Sequence, residues 1–254
     1  MANAVESYTE AWNGYTKKPG PYVWNGLTLI ALTFLLLPFV IGAGLIPVIA
    51  EALGMPLSKD AILPIVLAST VIQIGFGLAI SILVKSFYGV CDDIMEGRKA
   101  DWRTLLGHAG RRWRTIAGIA ILQLIAVLLV SIPLIVLPMV LIIPALQPPT
   151  AILVMLLIFA ITIPVIILLA AVFEPAYPIA MVEYVGALAA LREGLGLVRR
   201  NLKQYLLLVV MTMLVDLANL IPFAQQFLTI PVNSYALLAF YKADRSEHRN
   251  RKKG

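Results

Sequence analysis

Charged residues are scarce in this sequence, since they make up only 13% of its 254 residues, against about a quarter in soluble domains. That scarcity excludes a single water-soluble core. One cysteine, Cys91, excludes an intrachain disulfide, and two histidines leave too few ligands for a metal cage. Phosphate-binding loops, dinucleotide-binding turns and nucleophile elbows are missing as well. The sequence therefore predicts no enzyme activity, no metal site and no cofactor.

Apolar residues, in contrast, are abundant. They form 60% of the chain and give a mean hydropathy of +0.90, which excludes disorder and is typical of a polytopic membrane protein. A bilayer-spanning helix needs roughly 20 mainly apolar residues. Six segments meet that length: residues 24–50, 62–84, 115–146, 150–173, 204–221 and 223–241. The last two are short, with Pro222 near the turn, so an alternative interprets residues 204–241 as one interfacial hairpin and leaves four spans.

Basic residues are confined to alternate loops. All but one of the 20 Lys and Arg residues lie before the first span, between spans two and three, between spans four and five, or after span six, and Lys59 is the exception. The positive-inside rule then puts both termini in the cytoplasm of a multi-pass protein of the cell membrane. The chain divides into an interfacial N-terminal segment (1–23), a transmembrane domain (24–241) and a basic cytoplasmic tail (242–254).

The N-terminal segment carries an apolar stripe, formed by Val5, Tyr8, Trp12 and Tyr15 at spacings of three and four. This spacing predicts a short helix that lies in the headgroup layer with its aromatic rings as anchors. A frayed polar tail is the alternative. We expect no cleavable signal peptide, because the first apolar run is too long for one and is better interpreted as a signal anchor.

The two long cytoplasmic links, residues 85–114 and 174–203, resemble each other. Each contains an apolar face at helical spacing and ends in paired arginines before the next span, Arg111 and Arg112 in the first link and Arg199 and Arg200 in the second. We interpret each link as an amphipathic helix along the membrane, and the two span–helix–span units as a parallel internal repeat. The predicted fold is an all-α polytopic bundle of six transmembrane helices with two amphipathic cytoplasmic-side interfacial helices.

The basic residues that end these links are candidates for contacts with lipid headgroups: Arg111, Arg112, Arg114, Arg199, Arg200 and Lys203. Each contributes about 1 kcal/mol near an anionic membrane surface. The predicted partners are therefore membrane lipids with anionic headgroups, and other membrane subunits are a second class. Nucleic acid is not expected, because the basic residues are spread over four segments that follow the membrane. In the alternative interpretation these residues only enforce topology.

Two stretches carry a family resemblance. The first contains Glu96-Gly97-Arg98, Trp102, Leu105 and Arg111-Arg112, and the second contains Pro178 to Gly186, Ala189-Ala190-Leu191 and Arg199-Arg200-Asn201. With them the chain resembles the membrane domain attached to some glycerophosphoryl diester phosphodiesterases and to related, mostly archaeal, membrane proteins of uncharacterised function. The resemblance implies a six-helix prokaryotic membrane fold. It does not imply hydrolysis, because the sequence has no equivalent of the catalytic barrel, and His108 and His248 stand in no metal-ligand spacing.

Asp216 is the one acid clearly inside a predicted span, and Thr212 and Asn219 lie on its helical face. A rise of 1.5 Å per residue puts Asp216 past the membrane midplane, towards the outer surface. A charge there is costly, so it should face the bundle interior, where Gln73 and Gln123 are the large polar side chains available to it. Three roles follow: a hydrogen-bond clamp for span five, a contact for an ion, proton or substrate, or simple exposure near the outer interface.

These features predict a non-catalytic, multi-pass integral membrane protein with a lipid-interacting, structural or complex-subunit role. The alternative is a small-molecule or lipid transporter, because prolines interrupt several spans and broken helices can form substrate sites. The prolines are Pro38, Pro47, Pro64, Pro133, Pro138, Pro144 and Pro164.

Overall fold

The computed structural model describes residues 2–52, 59–142 and 147–251. Within those ranges the chain is almost wholly helical and contains no strand, which confirms the all-α prediction. The helices are α1 (Ala4–Lys17), α2 (Pro19–Ala52), α3 (Lys59–Lys85), α4 (Phe87–Met95), α5 (Trp102–Ser131), α6 (Pro148–Phe173), α7 (Ala176–Val182), α8 (Ala187–Arg200), α9 (Leu202–Asp216) and α10 (Ile230–Arg251). Pro144 and the end of the basic tail lie outside the described residues.

Local signals explain where several helices begin and end. The side chain of Asn3 accepts a hydrogen bond of 3.0 Å from the backbone nitrogen of Val5 and so caps α1. Asp101 and Thr104 form a capping box at the start of α5. Gly97, just beyond α4, has a φ of +73°, a conformation that glycine adopts without strain. The turn between α4 and α5 is therefore encoded locally.

Four helical stretches of the described residues are long and apolar enough to cross a membrane: Leu67–Met95, Trp102–Val140, Pro149–Val182 and Leu202–Leu220. They are compatible with a membrane protein. The helix α2 also has 34 residues, although the side chains of residues 37–52 are outside the description. The predicted sixth span, which contains the start of α10, is not among the four stretches, so six spans are not confirmed.

The long helices and the rest of the molecule differ in burial. Leu129, Val71 and Leu153 expose 69%, 69% and 67% of their surface, as side chains that face lipid do. The buried core lies instead where α4, α7 and α10 pack together, with α1 alongside α10. There Phe87 and Phe240 are completely buried. We call the group α1, α4, α7 and α10 the base of the molecule.

The helices α9 and α10 form an antiparallel hairpin whose tip comprises residues 221–229. The tip packs on the start of α2, where a β-carbon on Gly26 would lie 2.8 Å from the carbonyl oxygen of Gln226. Near the opposite end of the hairpin, the Tyr205 hydroxyl donates a hydrogen bond to the carbonyl of Ala171 at the end of α6. Extended packing of α9 or α10 along α3, α5 or α6 is absent among the described residues. The hairpin therefore contacts the long helices only near their ends.

The two predicted amphipathic links have different structures. In the second link α8 is a separate helix, and Ala190, Gly194 and Leu197 form its buried face. In the first link the amphipathic stretch is the N-terminal part of α5, which continues without interruption to Ser131. The expectation of a separate interfacial helix in the first link is wrong, because no proline lies between Trp102 and Ser131 to end the helix at the link.

The predicted N-terminal helix is α1, so the alternative of a frayed tail is wrong. The residues of its apolar stripe differ in burial. Tyr8 is only 6% exposed, whereas Val5 and Trp12 are 51% and 52% exposed. Burial raises the pKa of the Tyr8 hydroxyl above its ordinary value, so the group stays neutral and can donate a hydrogen bond. The helix α1 is thus a packed part of the base, with Trp12 left at the surface.

Candidate functional site

A cavity of about 500 Å³ lies between the hairpin and the ends of α3 and α6. We call it the hairpin cavity. Apolar side chains from α6, α9 and α10 form part of its wall. The polar residues that line it include Lys85, Glu174, Thr212, Asp216, Asn219 and Asn233. An apolar pocket of this size with a few polar groups is the usual form of a ligand site.

One end of the hairpin cavity is closed by an ion pair between Lys85, the last residue of α3, and Glu174, the first residue after α6. The Lys85 ammonium lies 2.5 Å and 2.7 Å from the two oxygens of the Glu174 carboxylate. The Tyr88 hydroxyl donates a further hydrogen bond of 2.6 Å to the same carboxylate. The ammonium also lies 4.7 Å from the ring centroid of Tyr177. These contacts leave this end of the cavity electrically neutral.

Sequence analysis missed this ion pair, although a signal for it exists. Lys85 and Glu174 are 89 residues apart, and Tyr88 and Tyr177 are separated by the same interval. An equal interval between two residues of opposite charge and between two tyrosines is the signal by which the sequence could have paired these segments.

Asp216 belongs to a hydrogen-bonded chain that joins α9, α10 and α1. The Asn233 amide donates to the Asp216 carboxylate at 3.0 Å. The Tyr8 hydroxyl donates to the amide oxygen of Asn233 at 2.8 Å and lies 2.7 Å from the Thr212 hydroxyl. No described Lys or Arg forms an ion pair with Asp216. The structure thus connects Asp216 and Thr212, as their spacing predicts, and the Asp216 carboxylate is exposed with no cationic partner among the described residues.

The other polar residues named with Asp216 bind elsewhere. Asn219 lines the same cavity but accepts a hydrogen bond of 2.7 Å from Thr229. Gln123 accepts a hydrogen bond of 2.8 Å from the Tyr177 hydroxyl. The expectation that Gln123 meets Asp216 is therefore wrong, because α5, which carries Gln123, does not pack along α9.

The six basic candidates for lipid contacts fall into two groups. Arg200 donates to Asp244 at 2.7 Å, and Arg112 stacks 3.8 Å from the ring centroid of Tyr184, so both are engaged within the protein. The remaining four are exposed and form no ion pair with the residues that the structure describes: Arg111, Arg114, Arg199 and Lys203. Sequence alone could not separate the groups, because the partners Asp244 and Tyr184 come from other parts of the fold.

All four tryptophans of the chain have half-exposed side chains. Trp12 is in α1, Trp24 is at the start of α2, and Trp102 and Trp113 are in the first part of α5. Their exposed fractions are 52%, 61%, 49% and 50%, in that order. Tryptophan concentrates at the membrane–water interface, where its ring can be partly buried in the headgroup layer.

The acidic residues after α3 form a network of ion pairs. Arg98 donates to Asp93 and Asp92 at 2.7 Å and 2.9 Å, and His108 lies 2.9 Å from Asp93. Lys242, from the basic end of α10, reaches Asp92 at 2.6 Å. Among the described residues no group of three or more His, Cys, Asp or Glu could hold a metal ion. This network ties α10 to the first link.

Comparison of the chain with protein-family models, curated proteins and solved structures gives no match.

Proposed function

We propose that the protein is a non-catalytic, multi-pass integral membrane protein of the cell membrane with a lipid-interacting, structural or complex-subunit role. The observation that carries this proposal is the pair of half-exposed tryptophans in α5, Trp102 and Trp113, which have the guanidinium of a neighbouring arginine 4.9 Å and 5.3 Å from the ring centroid. Exposed aromatic rings beside cations are typical of a protein surface in the headgroup layer of an anionic membrane. The exposed leucines of α5 and α6 would then contact the acyl chains.

For the membrane layout we favour four spans, α2, α3, α5 and α6, over six. The contacts of the hairpin support this choice, because its tip meets Gly26 at the start of α2 and its other end meets Ala171 at the end of α6. Both of these positions are on the predicted cytoplasmic side. A hairpin that touches both would lie across the cytoplasmic ends of the spans, with its exposed leucines in the interfacial layer. Either span number is even and keeps both termini in the cytoplasm.

Cysteine labelling distinguishes the two layouts. With Cys91 replaced by alanine, a single cysteine at Leu220, which is 86% exposed near the hairpin tip, should not react with a membrane-impermeant maleimide added to intact cells. A cysteine at Lys59, predicted on the outer side in both layouts, is the positive control and should react. Cysteines at Ala2 and Gly254 should become reactive only after the membrane is opened. Reaction at Leu220 in intact cells would establish the six-span layout instead.

We also propose that the two halves are a parallel internal repeat. The order of the helices supports this proposal, because the series α3, α4, α5 is followed by the similar series α6, α7 and the α8–α9 pair. Gly97 and Gly186 lie at corresponding positions in the two series. Val90 and Ile179, also at corresponding positions, are both fully buried. The interruption of the second half at Asn201 is the main difference between the two. Membrane proteins with repeated units commonly bind their ligands at the interface between the repeats.

Lipid retention tests the proposed function directly. Replacing Arg111, Arg114 and Arg199 by glutamine should reduce the anionic lipid that co-purifies in mild detergent several-fold, since each exposed cation contributes about 1 kcal/mol near an anionic surface. The matched control removes the same number of charges in the basic tail, at Arg249, Lys252 and Lys253. Lipid phosphorus per mole of protein is the measurement. Equal retention in the two variants would leave the arginines of the links with a role in topology only.

A small-molecule or lipid transporter is the second candidate. It is favoured by the hairpin cavity and by the π-helical turns Ile132–Val136 and Pro138–Ile142, each of which contains a proline that cannot donate a backbone hydrogen bond. Wide turns of this kind are frequent at functional sites. Substrate flux into proteoliposomes that is lost on substitution of the cavity residues would establish this candidate.

A further inference from the structure

The hairpin cavity has one uncompensated charge. Lys85 and Glu174 neutralise each other at one end, whereas Asp216 accepts a single hydrogen bond from Asn233 and has no cationic partner among the described residues. Asp216 is exposed on the wall of the cavity, and a carboxylate in such a position is bound most favourably by a cation that can also donate hydrogen bonds. A head of net negative charge is disfavoured, because it would face Asp216 while Lys85, the cation among the described lining residues, is bound to Glu174.

The rest of the cavity fits an amphiphile. Its volume of about 500 Å³ is within the range of sites for small molecules, about 300–1,000 Å³. The Thr212 hydroxyl and the Asn219 amide lie along the polar side, and Ile167 and Met213 belong to the apolar side. A primary ammonium offers three donors to such a set of oxygens. The polar side of the cavity fits the polar head of an amphiphile, and the apolar side fits the first part of its hydrocarbon chain.

From these observations we infer that the hairpin cavity binds the head of an amine-bearing lipid, with the primary ammonium on the Asp216 carboxylate and the chain along the apolar wall. This inference rests on the proposed membrane role, because a cavity between the hairpin and the ends of α3 and α6 opens at headgroup depth only in that setting. It assigns to Asp216 a ligand contact in addition to its bond with Asn233.

Native mass spectrometry of the purified protein in a neutral detergent tests the inference. The probes are phosphatidylethanolamine and phosphatidylcholine with identical chains, which differ in that only the first has an ammonium with N–H donors. We expect phosphatidylethanolamine adducts to be about tenfold stronger than phosphatidylcholine adducts, the factor that corresponds to one charge-assisted hydrogen bond. Asp216→Asn should abolish this preference, and Asp216→Glu should retain it. Glu6→Gln, which removes an exposed acid on α1, is the matched control and should keep the preference.

The outcomes separate this inference from the proposed function. Equal binding of the two lipids, or a preference that survives in Asp216→Asn, would overturn the inference. Competition by soluble glycerophosphoethanolamine at the same concentration as the lipid would overturn the assignment to a lipid. Retention of anionic phosphatidylglycerol, which depends on the exposed arginines, is unaffected by either result. Should Asp216→Asn fail to fold, Asn219→Leu provides a second variant. An unchanged lipid preference in Asn219→Leu, together with loss of the preference in Asp216→Glu, would also contradict the inference.

Discussion

Lys85→Met is expected to lower the free energy of unfolding by about 2–4 kcal/mol, somewhat less than the cost of breaking a fully buried ion pair. The side chains of Lys85 and Glu174 are only 21% and 31% exposed, so the carboxylate left behind would lose its ammonium in a place that water reaches poorly. Glu174 would keep only the hydrogen bond from Tyr88. Reversible denaturation in mixed micelles, followed by circular dichroism, measures the loss.

The double variant Lys85→Met/Glu174→Gln should recover most of that stability. It removes both charges, and the glutamine oxygen can still accept the hydrogen bond from Tyr88, so no buried charge is left alone. Lys17→Met, at an exposed lysine in the last turn of α1, is the control and should change stability by less than about 0.5 kcal/mol. If Lys85→Met unfolds like the parent protein, or the double variant is weaker than the single one, the ion pair does not join the two halves.

The helices of the membrane region could be predicted from sequence because their signal is local. A run of about 20 apolar residues with caps and breaks at its ends predicts a helix whatever it packs against, and the runs in α3, α5 and α6 contain it. The predicted sixth span, residues 223–241, is shorter and less apolar, and the structure packs its α10 part against α4, α7 and α1. Hydropathy alone cannot distinguish a short span from a buried core helix, so it cannot give the number of spans.

The candidate site was predicted only in part for the same reason. The spacing of Asp216 and Thr212 on one helix correctly placed them on one face, because that relation is fixed by the helical repeat. Their partners Asn233 and Tyr8 are on α10 and α1, and only the turn of the hairpin brings α10 back to α9. The pairing of Arg200 with Asp244 has the same origin, so one of the predicted lipid contacts is engaged inside the protein.

Gly26 should be the most sensitive single position for the docking of the hairpin tip. A β-carbon there would lie 2.8 Å from the carbonyl oxygen of Gln226 and 3.1 Å from the ring of Phe227. Backbone oxygen cannot move aside as a flexible side chain can, so Gly26→Ala should displace the tip and lower stability by about 1–3 kcal/mol, the usual cost of overpacking. Gly26→Leu should release the tip altogether. Faster hydrogen–deuterium exchange over residues 221–232 would report that release locally.

Gly20→Ala is the matched control, since it lies in the same helix and a β-carbon there would meet nothing within 4 Å. That substitution should leave stability unchanged or raise it slightly, because alanine reduces the conformational freedom of the unfolded chain. The contrast between the two glycines isolates the close approach of the tip from the general effect of alanine in a helix. In the six-span layout the tip would be on the outer side, remote from the start of α2, and the two variants should then behave alike in both stability and exchange.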